Sequence, residues 1–178
     1  MSRMSWLQRL YWRFLAKPAS CRDLFLFVGN HPVHSILEIG MGDGSRIRAL
    51  MQLQPKLGGS ERLRYAALDP FESDGGTRLS LKEAHRLLNE LGVKAHLIPG
   101  DPMSGILRVA HTVLPSDMVI IDGHWGDGSE RATVIEHWLP RLCHSRSVVF
   151  ASGQEGGKLI RIATPATASE LRNRTQAS

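Results

Sequence analysis

Five short apolar runs recur along the chain, each closed by a turn rich in Gly or Asp and each but the last followed by a longer amphipathic stretch. They occupy residues 35–39, 65–68, 95–98, 118–121 and 148–151. Mostly apolar runs of four or five residues mark strands covered on both faces. The stretches between them carry apolar residues at helical spacing: Ile47, Leu50 and Met51 within 45–52, then Leu81, Ala84, Leu87, Leu88 and Leu91 within 79–91, with similar patterns over 106–114 and 131–142. Such alternation of strand and helix predicts an α/β fold with a doubly wound, Rossmann-like parallel sheet. One further strand-like run lies at 158–162, and the polar segment 164–178 is expected to be loose.

With 178 residues, 42% of them hydrophobic, the chain can bury one core and not two large ones. The expected organisation is a lead-in over 1–34, a ligand-binding domain over 35–163 and a tail over 164–178. No apolar stretch reaches the ~20 residues of a membrane span, and a small-residue cleavage site after an apolar core is missing from the first residues. Cys21 and Cys143 are too few for a disulfide framework or a cysteine zinc site. These features together favour a cytoplasmic protein.

The net charge is +5, unevenly distributed. Residues 1–36 carry five Lys/Arg against one acid, residues 37–140 eleven against fourteen, and residues 141–178 six against two. The middle, where the ligand is expected, is therefore acidic and ill suited to a polyanion. Over residues 5–17, Trp6, Leu7, Leu10, Tyr11, Phe14 and Leu15 share one helical face, with Arg9, Arg13 and Lys17 largely away from it, and Pro18 ends the helix. This face can pack on its own domain or on a second subunit, which is the preferred reading, or lie on a membrane surface. Its phasing argues against a base-stacking platform, so nucleic acid is not expected as a partner.

In an open parallel sheet, ligands bind beyond the carboxyl ends of the strands. Four of those ends deliver a carboxylate to one rim: Glu38, Asp69, Asp101 and Asp122. The first is followed by Gly40, Met41, Gly42, Asp43, Gly44 and Ser45. In that loop the glycines allow a tight turn and close approach of a ligand, and Ser45 is placed as the helix N-cap. Asp69 can accept the two hydroxyls of a ribose or, since Pro70 follows, cap a turn. His124, in the loop 123–128, titrates near neutrality and can act as a base or simply pack; Trp125 can wall a pocket or shield it.

The series from Glu38 to Gly44, then Asp69, then Gly100 and Asp101, then residues 117–124, resembles the successive motifs of class I S-adenosylmethionine-dependent methyltransferases over about 36–150. The Asp122, Gly123, His124 sequence and the Trp138, Leu139, Pro140 sequence are similar to a small-molecule O-methyltransferase-like group. The resemblance implies S-adenosyl-L-methionine as cofactor, with Glu38, Gly40, Met41, Gly42, Gly44 and Ser45 at its methionine part, Asp69 and Pro70 at the ribose, Asp101 and Pro102 at the adenine, and Asp122 nearby. It implies methyl transfer to a small molecule, most simply at oxygen, with His124 or Asp122 as base. A carboxylate rim suits a sulfonium cation better than a dinucleotide pyrophosphate, which makes an NAD-dependent oxidoreductase the weaker alternative. A cofactor-binding relative without turnover, or an interaction module, is the other alternative. Metal-dependent relatives carry an acidic pair after the fifth strand; this chain has Ala151, Ser152, Gly153, Gln154 and Glu155 there, so no metal is expected. The family's sheet usually has seven strands with an antiparallel hairpin at one edge, and this chain has sequence for five or six. Its C-terminal side is thus shortened, leaving an edge for the N-terminal helix or a second subunit to cover, as in a homodimer.

Overall fold

A computed structural model describes residues 6–53, 63–71, 78–123 and 126–163. Six strands form one sheet: β1 (Ser35–Ile39), β2 (Arg64–Asp69), β3 (Lys94–Pro99), β4 (Ser116–Ile121), β5 (Cys143–Ala151) and β6 (Ile160–Ile162). Their order is β3-β2-β1-β4-β5-β6. The first five are parallel, and β6 runs antiparallel to β5 with Phe150 opposite Arg161. The expected doubly wound α/β architecture is present. The edge beside β5 is covered by β6, so neither the N-terminal helix nor a second subunit is required there.

Strand residues alternate between two cores. Ile36, Tyr65, Ala67, Met118, Ile120, Val148 and Phe150 face one layer, with α2 (Arg22–Val28), α3 (Ser45–Met51) and α4 (Leu81–Glu90). Leu37, Ile39, Ala66, Leu68, Val119, Ile121, Val149 and Ala151 face the other, with α5 (Pro102–Thr112) and α6 (Glu130–Leu142). β3 is an edge strand, and Lys94, His96 and Pro99 are exposed. The expectation that every run is covered on both faces therefore fails for the outermost one.

Local chemistry sets the helix starts. Ser80 and Glu83 form a reciprocal capping box on α4, Ser129 caps α6, and Asp101 caps α5 with Pro102 in its first turn. Ser45 is not the cap of α3. Gly44, left-handed at φ 72°, takes that place, and Asp43 Oδ1 accepts from the Ser45 N–H at 2.9 Å. A side chain on Gly44 would meet Leu87 Cδ2 at 2.5 Å, so the glycine serves both the turn and the approach of α4.

Two features of the lead-in differ from the sequence reading. The segment 22–28 is a helix, α2, burying Leu24, Phe25 and Val28. The helix over 5–17 exists as α1 (Trp6–Phe14), but it rests on the domain through Trp12 and Ala16, with Trp12 edge-on to Phe25 at 5.3 Å. The apolar face expected to be buried is exposed in this chain: Trp6, Leu7, Leu10, Tyr11, Phe14 and Leu15 are 44–69% accessible.

Candidate functional site

The chain reverses its winding direction between β1 and β4, which are neighbours in the sheet although α3, β2, α4, β3 and α5 separate them in sequence. A crevice forms beyond the carboxyl ends of strands at such a switch point. Here it is lined by Ile39, Gly40, Leu68, Pro70, Asp101, Pro102 and Asp122, with Arg78, Arg131 and Glu155 at its rim. Gly40 shapes its floor. At φ 88° its absent Cβ would stand 3.0 Å from the Asp122 carbonyl oxygen, so a side chain would wedge β1 from β4.

The structure thus brings Gly40, Pro70, Asp101, Pro102 and Asp122 to one cleft. The other residues expected at the cofactor are disposed differently. Glu38 shares its sheet face with Ile36 and points beneath α3, fully buried; Arg46 donates to one of its oxygens and the Tyr65 hydroxyl to the other. Met41 is also in that core. Asp69 is 2% exposed, and its carboxylate accepts from the Gly42 N–H at 3.1 Å and the Phe71 N–H at 3.0 Å. It fixes both the glycine loop and the left-handed turn at Phe71, φ 53°. Gly42, Gly44 and Ser45 belong to that loop rather than to the lining of the cleft. His124 and Trp125 lie outside the described residues.

Arg46 is the residue the sequence reading missed. Its guanidinium bridges Glu38 on β1 and Asp122 at the end of β4, all three nearly or fully buried. Burial pushes the Glu38 carboxyl up, and Arg46 and Tyr65 pull it part of the way back. Burial alone would favour a neutral Arg46; the two carboxylates overcome it and hold the guanidinium more firmly protonated than in water. The signal available in sequence was an acid inside an otherwise apolar strand, with Arg46 eight residues on at the start of the next helix.

The rim is consequently not the row of open carboxylates expected. Asp122 is held by Arg46 through Oδ2 and by the Gly156 N–H, 2.9 Å from Oδ1. Asp101 accepts from Met103 N–H and pairs with Arg131 at 2.7 Å. Glu155, in the stretch after β5, pairs with Arg78 at 2.7 Å. With these pairs closed, the cleft holds about 30 Å³, room for one or two waters. Arg78, Glu155, Arg131 and Asp101 are 34–55% exposed, so both rim pairs can part at small cost.

No family model matches the sequence, and no curated protein is significantly similar to it. Among solved structures, the chain is similar to a Nostoc punctiforme protein described as a candidate O-methyltransferase, at 15% identity over 82% of this chain and 40% of that one, with a TM-score of 0.52. It is also similar to the plantazolicin methyltransferase BamL, in complex with a desmethyl plantazolicin analogue and SAH, at 16% identity over 81% and 54% of the two chains, TM-score 0.50. YjhP of E. coli matches at 18% identity over 79% and 52%, TM-score 0.50. The chain thus spans about half the length of these structures or less, and what it shares with them is the Rossmann-like α/β fold.

Proposed function

We propose that this chain is an S-adenosyl-L-methionine-dependent methyltransferase acting on a small-molecule acceptor at oxygen. The observation that carries the reading is the cleft at the β1/β4 switch point, where Gly40, Pro70, Asp101, Pro102 and Asp122 converge. The residues fit the nucleoside end of such a cofactor. Leu68, Pro70 and Pro102 offer apolar walls to a flat ring, Asp101 stands at the rim, and the Gly40 position has no room even for a Cβ on its Asp122 side. Space beside Gly42, where an added Cβ would meet nothing, leaves the loop open to a larger group. When bound, the cofactor supplies an already activated methyl group.

The chain's own residues then have to admit the ligand, orient the acceptor and take up its proton. Admission requires the Arg78–Glu155 and Arg131–Asp101 pairs to open. For the proton, Asp122 is badly placed, since Arg46 occupies one of its oxygens and the Gly156 N–H the other. That leaves His124 as the proposed base. The same pairing of Asp122 favours a second reading, a cofactor-binding protein without turnover.

Calorimetry with S-adenosylhomocysteine and with NAD tests the ligand: saturable heat with the former is expected, and heat with NAD alone would overturn the assignment. Asp69→Ala is expected to weaken nucleoside binding by about 1.5–3 kcal/mol, through loss of charged hydrogen bonds that hold the loop or the ribose. A labelled-methyl screen over hydroxyl, amine and carboxylate acceptors separates the enzyme from the binding protein. In an active protein, His124→Ala lowers turnover with cofactor affinity nearly intact; equal turnover in both excludes His124 as base.

A further inference from the structure

We propose that α1 is a docking element for an anionic lipid surface. Among the described side chains, the helix meets the domain along one edge: Trp12 and Ala16 are buried, and Arg22 donates to the carbonyls of Phe14 and Ala16, fixing the end of the helix against α2. Its apolar stripe is exposed. Trp6 is 69% exposed, and Leu7, Leu10, Tyr11, Phe14 and Leu15 range from 44% to 67%. Six large apolar side chains on one short helix form a contiguous patch that water alone does not favour, and patches of this kind mark interaction sites. Elsewhere among the described residues the exposed large hydrophobics are isolated: Leu107, Leu114 and Ile160.

Charge selects the occupant. Residues 1–22 contain Arg3, Arg9, Arg13, Lys17 and Arg22 and not one Asp or Glu; the first acid is Asp23, which pairs with Lys158 at 3.2 Å. Two copies meeting through this helix would bring together two segments with five cations each and no acid on either to relieve their repulsion. An anionic bilayer surface supplies the missing negative charge and an apolar layer for Leu7, Leu10, Phe14 and Leu15, while Trp6 and Tyr11 are side chains that favour the headgroup level. Nucleic acid would use the charge but not the leucines, which do not stack on bases. The helix lies in the plane of the surface rather than across it, since no described helix is long and apolar enough to span a membrane.

The test is flotation of the full chain with phosphatidylcholine vesicles, with and without phosphatidylglycerol, at low and high salt. Binding is expected only with the anionic lipid and is weakened by salt. Leu10→Glu with Phe14→Glu should abolish flotation, and Arg9→Gln, Arg13→Gln and Lys17→Gln together should lower partitioning about 100-fold, about 1 kcal/mol for each charge near the surface. The glutamate pair replaces exposed side chains, and an unchanged melting temperature confirms that the fold persists; the charge variant lowers the segment's positive charge and leaves its apolar side chains in place. Absence of flotation with anionic vesicles at low salt overturns the proposal. So does a lipid-free dimer that Leu10→Glu converts to monomer, which would assign the stripe to a second copy, or flotation that ignores lipid charge. The outcome does not depend on the cofactor, whose binding calorimetry measures separately.

Discussion

Replacing Arg46 by Met removes the cation between two carboxylates that have little access to water. Glu38 is 0% exposed, and loss of Arg46 leaves its carboxylate with the Tyr65 hydroxyl as its hydrogen-bond donor. A buried carboxylate without its cation neutralises itself by binding a proton, so the cost at pH 7 is capped near 1.36 kcal/mol times the gap between pH 7 and ~4.3, or about 3.7 kcal/mol. Asp122 keeps the Gly156 N–H and some contact with solvent, and adds less. The total, about 4 kcal/mol, agrees with the ~3–5 kcal/mol typical of breaking a buried ion pair on one side. For a chain of this size that corresponds to a fall in Tm of about 8–16 °C. The loss also depends on pH. Arg46 restrains the burial-driven rise of the Glu38 pKa, and without it the folded pKa climbs further above the unfolded one. The folded variant then holds a proton that the unfolded chain has released, so its stability falls as pH rises from about 4.3 toward the new folded pKa. Urea unfolding followed by circular dichroism at pH 5 and pH 7.5 measures this. The wild-type advantage should be larger at pH 7.5, and adding Glu38→Gln should recover most of it. An equal loss at both pH values, or no recovery in the double variant, refutes the buried-triad argument.

Three more outcomes follow from the geometry. Asp117 accepts from the His34 and Ser35 N–H groups and from His144; burial pushes its pKa up, but these bonds outweigh it and leave it below the ordinary value, so its contribution to stability is present above about pH 4 and is lost as pH falls through the folded value. Acid unfolding should be less steep in Asp117→Asn, and identical acid profiles would remove Asp117 from the account. Gly44→Ala places a Cβ at φ 72° and 2.5 Å from Leu87 Cδ2, and should destabilise by about 2–4 kcal/mol in a urea melt; a change under about 0.5 kcal/mol would mean the loop relocates freely. Glu155→Gln breaks an exposed pair and should cost under about 1 kcal/mol of stability while raising the association rate of S-adenosylhomocysteine in stopped flow; an unchanged rate would place the entrance elsewhere.

The strands were legible because burial on both sides forces apolar runs, and the position of 35–39 coincides with β1. Charge was harder to read. Glu38 sits at the end of a strand beside a glycine loop, which suggests a ligand contact, yet strand alternation sends its side chain to the face of Ile36 and Tyr65, under α3. Asp101 stands at the expected rim but is engaged by the Met103 N–H and Arg131, and Asp69 is buried with its oxygens taken by the Gly42 and Phe71 N–H groups. Such partners come from other parts of the chain, and no local spacing announces them. The segment 22–28 escaped notice because its apolar run of five residues, 24–28, reads equally as strand or helix, and its helical form is settled by packing on Trp12 and Phe150 through Phe25 and Phe27. Amphipathicity located α1 correctly but assigned the wrong face to the domain: Trp12 and Ala16 meet it, and the six residues of the expected face do not.

The placement of β4 against β1 also orders events in time. β1 is complete once residue 39 has been made, yet one of its two edges stays bare until residues 116–121 leave the ribosome, and the bonds from Asp117 to residues 34 and 35, like that of Arg46 to Asp122, close only then. A nascent chain ending before β4 therefore has sequence for three strands, an Arg46 that lacks the second of its two carboxylates, and no cleft. Competence to hold a ligand arrives in one late step, after a loop of some eighty residues has been closed.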